Sequence, residues 1–237
     1  MKQQTPGYLK YRDFYFHWID VKHLYYDSLE SDLGKAGIEA EDVIFLSKHS
    51  SVADIKSLTV HPTGNFQDAK LGGKEKTLSM SSPRWMSAAM RKLKDSYTGN
   101  GFEITFEATH HGPYLTIPSY YIEIGTTENE WTDREALRSV SEAVLESNSN
   151  KFRNYVGVGG GHYMPKITQY VYENEVNIGH MISKHNHDTI TEEQIAESVE
   201  KTENCSGFIM DHKGTKGRVR TMVKDLAESM NMEIIKL

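Results

Sequence analysis

The chain of 237 residues contains a single cysteine, Cys205. That excludes a disulfide framework and any metal centre built on paired thiolates. With no disulfide to keep oxidised, a reducing, cytoplasmic compartment is expected. No apolar run approaches the roughly 18–20 residues a membrane-spanning helix needs. The first ten residues are polar and lack the apolar core of a secretory signal. An excess of positive charge is missing too, since 27 Lys and Arg stand against 33 Asp and Glu, for a formal charge of -6. This excludes a protein that coats nucleic acid through overall charge, but not an enzyme with one local basic patch. There is no G-x-S-x-G elbow, Walker loop, C-x-x-C pair or H-E-x-x-H helix. The run Gly157-Val158-Gly159-Gly160-Gly161-His162 puts His162 where a dinucleotide fingerprint has its last glycine, which argues against a nicotinamide or flavin cofactor.

What is present suffices for a packed core: 38% of residues are hydrophobic and 25% charged. Short apolar runs near residues 14–19, 43–47, 103–109, 119–124, 155–159, 208–211 and 233–235 read as strands. Helical stretches alternate with them. Ser82-Pro83 starts one that runs to about Ser96, with the serine as cap and the proline at the first helical position. Thr127-x-x-Glu130 and Thr191-x-x-Gln194 are capping boxes for helices over 127–146 and 191–203. An amphipathic helix is expected over 218–230, and a less well marked one over 24–33. Strand–helix alternation predicts an α/β fold with a central mixed, largely parallel sheet flanked by helices. Residues 50–81 carry no clear element, and loops of that length are commonly functional or disordered.

Eleven histidines draw attention because several lie beside glycine or proline. In Glu107-Ala108-Thr109-His110-His111-Gly112-Pro113, a histidine pair ends an alternating strand, where ligands bind in open α/β sheets. Neighbouring strand residues point to opposite faces, so both rings reach one site only if the chain turns, and Gly112-Pro113 supplies a turn. The plainer reading is one satisfied and one solvated histidine. In Gly159-Gly160-Gly161-His162-Tyr163-Met164-Pro165, bare backbone N–H groups can approach an anion, with Lys166 following. The plainer reading is a flexible turn. Glu123, between Ile122 and Ile124, needs a partner if buried and suits a metal ligand, a general base or an arginine's counter-ion. In Asp211-His212-Lys213-Gly214-Thr215-Lys216-Gly217-Arg218, a basic, glycine-bearing turn opens the last helix and suits a phosphate, or is an ordinary solvated turn. His49, His61 and His180, each taken alone, read more readily as structural. His17 and His23 look incidental, Cys205 reads as a small buried hydrophobe, and His185-Asn186-His187-Asp188 reads as a solvated loop despite its metal-like spacing.

Together these residues resemble the archaeal and plant type of D-aminoacyl-tRNA deacylase. The resemblance rests on Phe45-Leu46-Ser47-Lys48-His49-Ser50-Ser51, Leu58-Thr59-Val60-His61-Pro62-Thr63-Gly64-Asn65-Phe66, the Glu107 to Pro113 run, Pro118-Ser119-Tyr120-Tyr121-Ile122-Glu123-Ile124-Gly125, the Gly159 to Pro165 run and Gly179-His180, in that order. It covers the chain from about Tyr11 to the C-terminus as one deacylase domain. It implies hydrolysis of the ester joining a D-amino acid to the tRNA 3′ end, zinc dependence, a cytoplasmic monomer, and a fold related to peptidyl-tRNA hydrolases and nucleoside phosphorylases. Three departures stand out: the family's extra strand and helix before the equivalent of Tyr11 is lacking, His212 replaces a usual tryptophan, and His185 replaces a common tyrosine.

From this follow the expectations tested below. His110, His111 and His162 form the catalytic core, with Glu123 as ligand or base. Zinc is held among His110, His162, Glu123, His61, His49 and His180. Lys166, Lys213, Lys216 and Arg218 hold the aminoacylated tRNA. Spacing does not assign which histidine binds metal and which moves protons. Two rivals are a zinc amidohydrolase or peptidase for small D-amino acid derivatives, which needs no basic surface, and a non-catalytic tRNA-binding module, which needs no histidine cluster.

Overall fold

A computed structural model of the chain describes residues 7–50 and 55–237. Ser51, which closes the first matched run, lies outside the described residues, as do the first six residues of the polar start. The chain opens with β1 (Tyr8–Tyr11) and β2 (Phe14–His17), then α1 (Leu29–Lys35), β3 (Val43–Ser50), β4 (Ser57–His61), β5 (Gly64–Asn65) and β6 (Thr77–Leu78). It continues through α2 (Pro83–Ser96), β7 (Glu103–Phe106), β8 (Ser119–Thr126), α3 (Glu128–Trp131), α4 (Arg134–Leu145) and β9 (Arg153–Val158). The last elements are α5 (Pro165–Glu173), β10 (Val176–Ile182), α6 (Glu192–Glu200), β11 (Cys205–Met210), α7 (Gly217–Ser229) and β12 (Glu233–Lys236).

The expected mixed α/β architecture is present; among the described residues its strands form two four-stranded sheets and two antiparallel pairs, β1-β2 and β5-β6. One has the order β3-β8-β4-β7, with β4 antiparallel to β8 and the other neighbours parallel. The other, β10-β9-β11-β12, is parallel throughout. The segment just after β7 joins them. Glu107 N–H donates to Val60 O (3.1 Å) in the first sheet, and Thr109 N–H donates to Met181 O (3.0 Å) in the second. Between them, Ala108 N–H reaches His162 O at 2.8 Å. Glu107, His110 and His162 lie at or next to this seam. Helix α2 packs against both sheets through Met86, Met90 and Leu93, which are wholly buried with Leu58, Phe106, Ile122 and Ile178. Burying each such side chain contributes about 1.5–3 kcal/mol.

Local signals explain most boundaries. Both capping boxes form, Thr127 with Glu130 and Thr191 with Gln194. Pro83 opens α2 as expected, but Ser82 does not cap it, because its hydroxyl donates to Asp42. The helix expected over 127–146 is broken, since Asp133 accepts from Ala136 N–H and starts a second helix. Three elements escape the sequence reading, the two strands among them for a shared reason. Residues 50–81 contain β4, a central strand of the first sheet with all five residues buried. A strand buried on both faces has no alternation to read. The same holds for β10, also buried throughout and interrupted in pattern by Asn177, Gly179 and His180. Helix α5 was hidden by its β-branched and aromatic residues, which favour strands locally but here pack against β7 and β10. Among the described residues no helix is long and apolar enough to cross a membrane.

Candidate active site

The ends of β3, β4 and β8 and the two loops at the seam bring five histidines around two carboxylates. Strand register explains the first part. Ser47 of β3 lies opposite Glu123 of β8, and Thr59 of β4 lies opposite it on the other side. His49 and His61, two residues further along their strands, flank the same carboxylate. Glu123 Oε2 is 3.5 Å from His49 Nδ1 and 3.5 Å from His61 Nε2. No arginine pairs with Glu123 among the described residues. The second carboxylate belongs to Glu107, at the exit of β7. It is fully buried, and its oxygens lie 3.0 Å from His162 Nε2, 3.5 Å from His110 Nε2 and 3.8 Å from His49 Nδ1.

The turn after Glu107 aims both neighbouring histidines into the site. His111 takes a left-handed backbone conformation (φ 47°), a strained choice for a residue with a Cβ. Gly112 is required beside it, since a Cβ there would meet Gly73 N at 2.2 Å and Leu24 O at 2.4 Å. The rings then stack and edge-pack: His61–His110 centroids are 4.1 Å apart, His110–His111 4.3 Å and His110–His162 4.7 Å. On the other side, Gly159 and Gly160 adopt φ values of 97° and 85°, which let the chain double back and present His162.

Hydrogen bonds to backbone carbonyls orient three of these rings. Nδ1 of His110 meets Ala108 O (2.8 Å), Nδ1 of His111 meets Gly112 O (2.7 Å) and Nδ1 of His61 meets Pro62 O (3.2 Å). A carbonyl accepts only, so each Nδ1 carries the proton and each Nε2 turns a lone pair toward the centre. This is the arrangement metal-bound histidines use. It also leaves His61 Nε2 and Glu123 Oε2, both electron-rich and buried, 3.5 Å apart, a contact that needs a proton or a metal cation between them. The oxygens of Glu107 and Nε2 of His61 are buried without a well-directed hydrogen bond. Three overlapping groups have ligand atoms within 4.8 Å of one another: His61, His110 and His111; Glu107, His110 and His162; and His49, Glu107 and Glu123.

Electrostatics divide the cluster. Burial pushes His111 down to about 3, and burial with the neighbouring imidazoles pushes His110 well below its ordinary value, so both are neutral at physiological pH. Burial opposes charge on Glu123 and Glu107 as well, but the adjacent histidines outweigh it and hold both carboxyls below the usual range. Burial likewise opposes charge on His61, where Glu123 prevails and raises it, while for His49 the bond to Glu123 is itself the main effect and raises it. His162 is the most open of the five, with 40% of its side chain exposed. Together with His110 it lines a cleft of about 290 Å³, whose lining also includes Asn65, Gln67, His185 and Asn186. A larger open depression of about 510 Å³ beside α6 and α7 contains none of these histidines.

Thus His49, His61, His110, His111, His162 and Glu123 gather at one place, whereas His180 does not join them. Its two ring nitrogens are occupied by Thr109 Oγ1 (3.1 Å) and Ser79 O (2.9 Å), in a fully buried setting that pushes its pKa down to about 4. Glu107 was quoted in its motif but not singled out, because an acid at a strand end looks solvated until the seam covers it. His23, read as incidental, bonds Ser47 Oγ at 2.9 Å, and Ser47 in turn hydrogen-bonds Glu123. The run from His185 to Asp188 is not one solvated loop: His185 is exposed at the cleft and His187 is buried. The basic residues are largely engaged. Lys166 pairs with Asp211 (2.7 Å), Lys216 pairs with Asp188 (2.6 Å), and the Arg218 guanidinium donates to His187 O and Ile190 O. Lys213 has no ion pair among the described residues.

Comparison with known proteins identifies the family. The family model described as D-aminoacyl-tRNA deacylase matches residues 36–235. A protein of that name from Thermoplasma volcanium is 50% identical over 234 residues, covering 98% of this chain and 89% of the relative. One from Pyrococcus furiosus is 35% identical, covering 90% of this chain and 80% of the relative. The crystal structure of a conserved protein of unknown function superimposes with a TM-score of 0.91 at 33% identity, over 99% of this chain and 85% of the other. The chain belongs to the D-aminoacyl-tRNA deacylase family.

Proposed function

We propose that the protein hydrolyses the ester joining a D-amino acid to the 3′ end of tRNA, releasing the amino acid and free tRNA. The observation that carries this reading is the histidine–glutamate cluster, two of whose histidines line a cleft, in a chain whose relatives are named for that activity. A purely tRNA-binding module has no use for two buried carboxylates ringed by imidazoles. The relatives' names likewise do not favour an amidohydrolase for small D-amino acid derivatives.

The donor set fits zinc. It consists of imidazole nitrogen and carboxylate oxygen with no thiolate, and three of its atoms are buried without a well-directed hydrogen bond. His61, His110 and His111 present Nε2, and Glu107 and Glu123 supply oxygens. Zinc, when bound, supplies Lewis acidity at the cluster. The chain's own residues do the rest. The negative charge of Glu107, 3.0 Å from Nε2 of His162, favours the proton on that nitrogen, which leaves Nδ1 as the base. It takes a proton from the attacking water and returns it to the departing 3′ oxygen. An aminoacyl ester is activated, so this assistance suffices.

Among the tRNA-binding residues named from sequence, Lys166, Lys216 and Arg218 already have internal partners, which leaves Lys213. Lys184 joins it. It is exposed, lies between the cleft-lining residues Ser183 and His185, and has no ion pair among the described residues.

Deacylation of D- and L-aminoacyl-tRNA with and without chelator tests the reading. Hydrolysis of the D-form only, abolished by chelator and restored by zinc, is expected. No hydrolysis of the D-form overturns the assignment, and full turnover by metal-free protein overturns the zinc part alone.

A further inference from the structure

Glu123 lies on the middle strand of three, and its neighbours on either side are fixed by register. β3 runs parallel to β8 and places Ser47 beside Glu123 and His49 beside Gly125. β4 runs antiparallel to β8 on its other side and places Thr59 beside Glu123 and Ser57 beside Gly125. Residues directly opposite one another share a face of the sheet, as do alternate residues along a strand. Gly125 marks that face: a Cβ there would meet Ser57 Oγ at 2.9 Å and His49 Cβ at 3.2 Å, one from each side.

The carboxylate is therefore flanked by two hydroxyls, Ser47 on β3 and Thr59 on β4. Ser47 hydrogen-bonds it. Thr59 is wholly buried, and its Oγ1 has no hydrogen-bond partner among the described residues. A buried hydroxyl without a partner costs free energy, and valine would fill the same space on a strand without that cost. The other residue opposite Thr59 is Thr105 of β7, whose Oγ1 is already engaged by Phe106 O and Thr168 Oγ1, each at 3.1 Å. Glu123 carries a charge, held there by its histidines, and is the stronger acceptor. It is within reach, since Cβ atoms of directly opposed residues lie about 4.5–5.5 Å apart. A turn about χ1 of Thr59, or one bridging water, closes the contact.

We propose that Thr59 is a positioning residue that donates a hydrogen bond to Glu123, so that hydroxyls from both neighbouring strands hold the carboxylate toward the histidines. Held from both sides, the group cannot rotate freely, and its remaining lone pairs keep one direction. Contacts of this kind behind a metal-binding carboxylate tune its affinity for the metal. The inference rests on the reading of Glu123 as a zinc ligand.

The test competes a zinc-binding indicator against the zinc-loaded protein and reads its affinity for the metal. Thr59→Val keeps the volume and removes the donor, and affinity should fall about 10–100-fold, the usual effect of losing a partner of a metal ligand. Thr59→Ser keeps the donor and should retain most of the parental affinity, which a role in packing alone does not predict. Where Thr59→Val does not fold, Thr59→Ala against Thr59→Ser makes the same comparison, since both lose the methyl and only the serine keeps the hydroxyl. An equal loss in Thr59→Ser overturns the inference, because the methyl and not the hydroxyl then matters. Zinc held equally tightly by the parent and by Thr59→Val overturns the inference alone. A parent protein that takes up no zinc overturns the zinc reading and the inference with it.

Discussion

Glu107 Oε2 stands 3.0 Å from His162 Nε2, across the gap between the end of β7 and the glycine loop after β9. The acid is fully buried and the histidine 40% exposed, so the pair runs from the interior to the cleft. Charge developing on the imidazole is met from beneath by a carboxylate that is itself kept ionised by its neighbours. The two residues come from different sheets, and the seam hydrogen bond from Ala108 N–H to His162 O (2.8 Å) holds them together.

Replacing Glu107 by Gln keeps the volume and removes the charge. Deacylation should fall by roughly 10²–10⁴-fold, the usual worth of a positioned acid–base system. Zinc content, measured by elemental analysis of the purified variant, should fall with it. A Glu107→Gln protein with parental rate and metal content would place both functions on Glu123.

His23 acts on the site through Ser47. His23→Phe keeps the ring packing on Phe45 and Tyr121, at 6.1 and 5.4 Å, but loses the 2.9 Å bond to Ser47 Oγ. Removing such a supporting contact commonly weakens metal affinity or activity by about 10–100-fold. Competition titration with a zinc indicator reads this directly. Unchanged zinc affinity and unchanged kcat would make His23 a packing residue only.

His180 should give the fold a pH dependence. Burial holds its folded pKa at about 4, below the ordinary 6.5, so on acidification the unfolded chain takes up the proton first. The stability associated with neutral His180 is complete above about pH 6.5 and is lost progressively as pH falls toward 4. The total loss is on the order of 3 kcal/mol. Denaturant melts of the parent and His180→Gln at pH 7 and pH 4 isolate it. The variant should lose less stability on acidification, and parallel losses would show that His180 is not buried neutral.

Lys184 and Lys216 should differ in their response to salt. Lys184, between the cleft residues Ser183 and His185, has no ion pair among the described residues, whereas Lys216 already pairs with Asp188 at 2.6 Å. Lys184→Ala should reduce the slope of log affinity for tRNA against log salt by about 0.7, one single-strand phosphate contact. Lys216→Ala should change it less. Equal changes would return the phosphate site to the turn before α7.

Local chemistry was legible wherever neighbours in sequence decide the outcome. The capping boxes at Thr127 and Thr191 and the proline start of α2 depend on residues three or four apart, and they formed. So did the turn that points His110 and His111 together. Ser82 departs from its expected capping role because Asp42, 40 residues away, takes its hydroxyl. β4 and β10 were missed because strands buried on both faces carry no alternating pattern.

The sequence by itself determined the mixed α/β class and the family, and it singled out Glu123 and five of the histidines that gather with it, since motif order and residue type are local properties of the chain. Only the tertiary structure decided that Glu107 lies under His162, that His180 is tied off by Thr109 and Ser79, and that Lys166 is paired with Asp211 and Lys216 with Asp188. A carboxylate, an imidazole or an ammonium has the same side chain whether solvated, paired or ligating. Its role depends on desolvation and on partners that folding brings from distant parts of the chain.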